Sequence, residues 1–155
     1  MKCLHISNND INGGAQIASY RVHKSLKTNK IDSKILVRNK YSADKDVIVN
    51  ENLFSKKIFK LKLKISSIIK RLQKSQLNSF HSNNILPSKF SKYINSLNYD
   101  IVNLHWIGEE TLSIKDIANI KAPKVFTLHD MWGFCGGEHY IDDKKQACRK
   151  RSGTP

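Results

Sequence analysis

The sequence predicts an α/β domain: a Rossmann-like parallel sheet with flanking helices. Three observations predict it. A short apolar strand, Cys3-Leu4-His5-Ile6, runs into Asn12-Gly13-Gly14-Ala15 and then into a helix-like stretch. Two later apolar runs end in the polar pairs His105-Trp106 and His129-Asp130. The segments between these runs carry helical rather than alternating periodicity. In a parallel sheet the carboxyl ends of the strands share one edge, and ligands bind there against backbone amides and helix N-termini. The three strand ends therefore point to an edge that handles a sugar or a nucleotide.

Lys2 to Ile6 reads as the first strand. Ala15 to about Asn29 reads as a helix with Ile17, Ala18, Val22 and Leu26 apolar, and Ser33 to Val37 as a second strand, which completes a βαβ unit. Between Asn52 and Tyr99 there is no Asp or Glu, while ten Lys or Arg fall in that window. Ile58, Leu61, Ile65, Ile68, Ile69 and Leu72 recur at three- and four-residue spacing, with Lys56, Lys57, Lys60, Lys64, Arg71 and Lys74 on the other face. That pattern predicts a basic amphipathic helix over about 55–76, although Lys60 to Ile65 also alternates in period two and leaves a short strand open. Asn78 to Asn84 reads as a loop, and Pro87 suits the first turn of a helix that buries Phe90, Ile94 and Leu97. Asp100 to Leu104 and Lys124 to Leu128 suit buried parallel strands. The helix between them starts at a capping box of Ser113 and Asp116, with Leu112 and Ile117 as its hydrophobic staple. From Met131 onward periodicity is lost, so 1–130 is the expected folded domain and 131–155 a loop or loose tail.

A chain of 155 residues with 39% hydrophobic composition supports one core. Its 27 Lys and Arg against 13 Asp and Glu give +14, which attracts nucleic acid, acidic lipid or phosphorylated substrates. No helix-turn-helix, zinc-finger or RNP-like pattern is present, so nucleic acid is not an expected partner. Cys3, Cys135 and Cys148 form an odd, widely spaced set without a C-x-x-C pair. This spacing argues against a disulfide framework and for a reducing, cytoplasmic setting. The N-terminus turns polar by Ser7, without a signal-peptide core, and no window nears the ~20 apolar residues of a spanning helix, so membrane contact is expected to be peripheral.

Gly13 and Gly14 would let backbone approach a phosphate or sugar, or would serve only as a tight turn. His129 could hydrogen-bond a substrate hydroxyl or phosphate, and Asp130 could bind sugar hydroxyls or move a proton; the plainer alternative is a His that caps its strand. Trp106, beside His105, could stack on the apolar face of a sugar, or lie buried with its indole N–H satisfied. His5, His23 and His81 read as structural or exposed. His139 with Cys135 and Cys148 lacks the paired spacing of a structural zinc site, so no metal or other cofactor is expected. Lys57, Lys60, Lys64 and Arg71 could meet acidic headgroups while Ile and Leu enter the membrane interface, or the helix could pack on the sheet as an ordinary solvated helix.

Together these segments carry a resemblance. Lys2-Cys-Leu-His-Ile-Ser, Asp10-Ile-Asn-Gly-Gly-Ala, Ala18-Ser-Tyr-Arg-Val-His-Lys-Ser-Leu, Ile101-Val-Asn-Leu-His-Trp-Ile and Thr127-Leu-His-Asp-Met-Trp-Gly-Phe-Cys-Gly-Gly-Glu-His-Tyr, in that order, resemble the N-terminal half of a bacterial family 4 glycosyltransferase. The resemblance is weakest between about Tyr41 and Ser88. It implies the GT-B architecture of two Rossmann-like domains, the first holding the acceptor and the second the donor, with the active site between them. It further implies retaining transfer from a nucleotide-sugar donor to a lipid-linked or polysaccharide acceptor of O-antigen (lipopolysaccharide), capsule or exopolysaccharide, at the inner face of the plasma membrane. Gly13 and Gly14 would approach the donor phosphates, His129 would sit beside the transferred sugar, and Asp130 would neighbour it. Glu138 and Thr154 stand where the resemblance leads one to expect Cys. The resemblance also implies that residues 1–155 hold the acceptor side alone, so the chain by itself is expected to transfer little sugar. The competing expectation is a non-catalytic basic α/β module that binds acidic membrane or a partner protein.

Overall fold

The computed structural model describes residues 1–49, 56–72, 81–86, 88–135 and 137–140, with side chains of the 56–72 helix described for 57–69. Five parallel strands form one sheet in the order β3-β2-β1-β4-β5: β1 Lys2–Asn9, β2 Asp32–Asn39, β3 Val47–Ile48, β4 Ile101–Leu104 and β5 Lys124–Phe126. Helices α1 Gly14–Thr28, α2 Lys56–Leu72, α3 Phe90–Ser96 and α4 Ile114–Asn119 complete the described elements. The result is α/β and Rossmann-like in general form. Strand order reverses between β1 and β4, the crossing point where such sheets open a crevice at their carboxyl edge.

Alternation along the strands sorts the two faces. Leu4 and Ile6 of β1, Leu36 of β2, and Val102 and Leu104 of β4 join Phe90, Ile94 and Ile120 in the main core beneath α3 and α4. On the opposite face Ile35, Val37, Val47 and Tyr20 form a smaller apolar cluster, while β1 presents the buried polar side chains His5 and Ser7. The first helix packs on this second face through Gln16, Ser19 and His23, and leaves Ile17 and Val22 exposed. The expected face of α1 is therefore displaced, with Ala18 and Leu26 half-buried and Ile17 and Val22 turned to solvent. The sheet beneath it is polar, and His23 Nδ1 hydrogen-bonds Ser33 Oγ at 2.8 Å.

The helix start at Ser113 follows the sequence: its Oγ accepts the Asp116 N–H at 3.1 Å, and Leu112 and Ile117 meet in the core. The Asp116 carboxylate accepts the hydroxyls of Ser113 and Ser88 and the Ser91 N–H, thereby tying α4 to the first turn of α3. Four expectations need correction. β1 and β2 run past their apolar stretches to Asn9 and Asn39, because parallel backbone pairing continues where burial is supplied by polar neighbours. β5 is three residues long and exposed rather than buried, since it is the outer strand of the described sheet. Residues 131–135 and 137–140 form turns, as a loop would, but are packed rather than loose: Ser82 N–H donates to Gly137 O at 2.9 Å, Met131 N–H donates to His139 O at 3.1 Å, and Cys135 and His139 are buried. Finally, Cys3 is free but Cys135 is disulfide-bonded, which removes the thiol argument for a reducing compartment; spacing along a chain says nothing of how side chains approach in space.

The basic helix forms over Lys56–Leu72 with no short strand at Lys60 to Ile65. Its apolar stripe, however, faces solvent: Ile58, Leu61 and Ile68 are 54%, 58% and 56% exposed. The helix instead turns Ser66 inward, whose Oγ–H donates to Glu110 Oε1 at 3.0 Å, and stacks Phe59 under the Arg38 guanidinium at 3.9 Å. No described helix is long and apolar enough to cross a membrane.

Candidate functional site at the carboxyl edge

The strand ends singled out by sequence lie side by side. Asn8 N–H donates to Trp106 O, His105 N–H to Ile6 O and Thr127 N–H to Leu104 O, each at 2.9 Å, so the loops after β1, β4 and β5 are stitched together at one edge. Gly13 sits at φ +119°, a conformation that side chains strongly disfavour, and a Cβ there would collide with Gln16. A Cβ on Gly14 would meet only open space. No side chain caps α1 and no acidic residue lies in its first turn. The helix end thus offers amides and positive potential on the carboxyl edge.

Beneath this edge runs a chain of imidazoles. Cys3 Sγ lies 3.6 Å from His5 Nε2, His5 Nδ1 hydrogen-bonds His105 Nε2 at 3.0 Å, and His105 Nδ1 hydrogen-bonds His129 Nε2 at 3.0 Å. The chain crosses from β1 to β4 to the end of β5. Burial holds His5 down to about 4 and His105 down to about 3, each lowered further by a neighbouring imidazole. His129 is also lowered by desolvation, a shift that the Asp130 carboxylate opposes. His5 and His105 are therefore neutral near pH 7.

Asp130 is a second hub. Its Oδ2 accepts Trp106 Nε1–H at 2.9 Å and binds His139 Nδ1 at 2.5 Å, and its Oδ1 accepts Trp132 N–H at 3.0 Å. His139 Nε2 binds Ser82 Oγ at 2.9 Å. This hydroxyl–imidazole–carboxylate order is that of a hydrolase triad. Ser82 is only 2% exposed, however, and its oxygen also accepts the Glu109 N–H, so no acyl group can reach it. The array is a clamp that fixes Asp130 and Trp106. Trp106 is half-buried: its indole N–H is satisfied by Asp130, and its ring packs 5.5 Å from His139.

His105, Trp106, Gly108, Phe126, His129 and Asp130 help to line a cavity of about 10 Å³, room for roughly one water. A ligand larger than water would therefore lie across the open edge rather than inside it. The rim is built by a tight loop in which Glu109 and Glu110 hold φ of 53° and 57°, with Asn84 donating to Ile107 O and Leu112 O and accepting from Glu110 N–H. Arg38 reaches this loop through Glu109 O at 3.3 Å. Burial lowers its guanidinium from the usual value, which Glu109 opposes.

Gly13, Gly14, His105, Trp106, His129 and Asp130 thus share one edge, as their strand-end positions imply. Lys57, Lys60 and Lys64 are exposed on α2, and the Arg71 side chain falls outside the described residues. The sequence reads His5 as structural or exposed, weighs His139 only as a metal ligand and gives Ser82 no role, whereas the structure joins all three to the edge. His5 alternates with Leu4 and Ile6 on a strand and so had a legible face, but its partner lies one hundred positions away. Ser82 carried no signal at all. Among described residues, His23, Asp44 and Asp46 bring three potential ligand atoms within 4.8 Å of one another, but Lys24 and Lys27 pair with the two carboxylates at 3.2 and 3.0 Å. No family model, curated protein or solved structure matches this chain.

Proposed function

We propose that the chain is the acceptor-side half of a retaining GT-B glycosyltransferase that takes sugar from a nucleotide-sugar donor in bacterial surface-polysaccharide synthesis. One observation carries the reading: a side-chain-free glycine turn, an imidazole and a carboxylate-held tryptophan share the carboxyl edge of a parallel sheet that has a crossing point between β1 and β4. Glycine at position 14 has no packing reason, and the helix end behind it suits a diphosphate. His129 supplies a neutral hydrogen-bonding group for a sugar hydroxyl, and Trp106 an aromatic wall. The exposed edge of β5, with Val125 and Phe126, also suits a sheet that continues. Leaving-group stabilisation in this chemistry needs charge on both sides of a cleft, so these residues supply one side of it.

Equilibrium titration with nucleotide-sugars of several bases tests the reading. Millimolar binding that weakens at least tenfold in His129→Ala is expected, with little transfer to lipid-linked acceptor by residues 1–155 alone. Absence of binding at any nucleotide-sugar, or robust transfer by these residues alone, contradicts it.

A second reading rests on α2. An apolar stripe exposed to solvent and bordered by Lys57, Lys60 and Lys64 is the pattern of a helix lying in a membrane interface. Alone, it would make the chain a non-catalytic basic module; together with the edge, it would hold the transferase against an acidic bilayer that carries its acceptor. Pelleting with anionic vesicles separates these from a merely solvated helix. Binding abolished by Lys57→Glu, Lys60→Glu and Lys64→Glu in a folded variant supports the membrane face, and unchanged binding removes it.

A further inference from the structure

We propose that His5 and His105 are positioning residues: together with Cys3 they fix His129 in the tautomer that carries its proton on Nδ1, so that His129 meets a ligand oxygen as a hydrogen-bond donor. The inference deepens the reading of the carboxyl edge as a site for an oxygen-rich ligand and rests on it.

A neutral imidazole has one donor nitrogen and one acceptor nitrogen. Three such rings joined nitrogen to nitrogen have only two fully bonded arrangements. In the first, His129 Nε2–H donates to His105, His105 Nε2–H to His5, and His5 Nε2–H to the Cys3 sulfur. In the second every bond reverses: the Cys3 thiol donates to His5 Nε2, His5 Nδ1–H to His105 Nε2, and His105 Nδ1–H to His129 Nε2. The proton of His129 is then left on its outward Nδ1.

The ends of the chain choose between them. At the outer end either form is served by water or ligand, because His129 Nδ1 is not among the buried atoms without a partner and no described residue bonds it. At the inner end His5 is fully buried, and its Nε2 has only the Cys3 sulfur, 3.6 Å away. The first arrangement strands an N–H donor on a weak acceptor. The second leaves only a lone pair on a weak donor, and under-satisfied acceptors are tolerated in cores more readily than orphaned N–H groups. Burial raises the Cys3 thiol, so that it keeps the proton it must donate. The same burial keeps His5 and His105 neutral, so each ring carries one proton and the order is transmitted across both of them.

The consequence is action at a distance: His5, which touches no surface ligand, sets which atom of His129 carries the proton. Two-bond 1H–15N correlation spectra of the full chain labelled with 15N-histidine, at pH 7.5, test it directly. The expected spectrum gives His129 a protonated Nδ1 and an unprotonated Nε2, without averaging. A proton on Nε2, or averaged nitrogen shifts, overturns the proposal. In His5→Phe the His129 shifts should move toward the average of the two tautomers; an unchanged His129 in a folded His5→Phe chain overturns it equally. Should that variant not fold, the wild-type spectrum alone decides. Loss of nucleotide-sugar binding would sink the transferase reading without moving this spectrum, and an averaged His129 would sink the relay while leaving that reading intact.

Discussion

Lowering the pH from 7 to 4.5 should destabilise the protein through two buried imidazoles. His5 and His105 are held at about 4 and about 3 in the folded chain, against 6.5 when exposed. Below pH 6.5 the unfolded chain takes up protons that the folded chain refuses. Stability from these groups is therefore complete above pH 6.5 and falls as pH drops toward their folded values. Each group loses about 1.4 kcal/mol per pH unit once well below 6.5. Over two units below 6.5, the pair costs about 5 kcal/mol, comparable with the whole stability of a marginal domain. The carboxylates act in a different window. Asp44 is lowered to about 2 by hydrogen bonds from Asp46 N–H, Tyr20 and Lys24 that outweigh its desolvation, so its stabilisation is present above 3.8 and lost only below that. Urea titrations at pH 7, 5.5 and 4.5, followed by the fluorescence of Trp106 and Trp132 and by far-UV circular dichroism, measure the loss. The double variant His5→Asn, His105→Asn should be weaker at pH 7 and lose clearly less stability than the wild type between pH 7 and 4.5, the remaining loss coming from His23 and His129, which burial also lowers. Equal midpoints for the wild type at both pH values, or a double variant as acid-labile as the wild type, would refute the reasoning.

The two glycines should separate. Gly13→Ala should cost roughly 1–3 kcal/mol, because its φ of +119° is strained for any side chain, and thermal unfolding reads this out. Gly14→Ala should leave the melting temperature within a few degrees while weakening nucleotide-sugar affinity, since only a ligand would occupy the space its methyl enters. Asp116→Ala should cost roughly 2–4 kcal/mol, since it strands the Ser91 N–H and the hydroxyls of Ser88 and Ser113 in a buried junction; Ser113→Ala should cost about 1 kcal/mol as a lost cap. Chemical denaturation of both, with an Asp116 loss no larger than that of Ser113, would show that the junction is not shared by the two helices.

How much of this was legible follows from where each signal resides. The strands were readable because Leu4, Ile6, Val102 and Leu104 put apolar groups where a two-sided sheet must bury them. The Ser113 cap was readable because capping is a contact three residues long. The shared carboxyl edge followed from topology, since parallel strands leave their polar ends on one side. What could not be read is set by long-range partners. Nothing local says that His23 will reach from α1 to Ser33 on the polar strand face beneath it, or that Ser82 will close on His139 from fifty-seven positions away. The direction of the α2 stripe was equally hidden. Periodicity identifies two faces, but only the placement of Glu110 and Arg38 turns Ser66 and Phe59 inward and leaves Ile58, Leu61 and Ile68 outward.

The measurement that bears most directly on the proposed function is amide and imidazole chemical-shift mapping of the chain during titration with nucleotide-sugars. Shifts concentrated at Gly13, Gly14, His105, His129 and Asp130 would place the ligand on the carboxyl edge at the β1–β4 crossing, as argued. Shifts confined to α2, or none at millimolar nucleotide-sugar, would contradict a donor-facing role for this edge and leave the membrane-binding module as the reading to pursue.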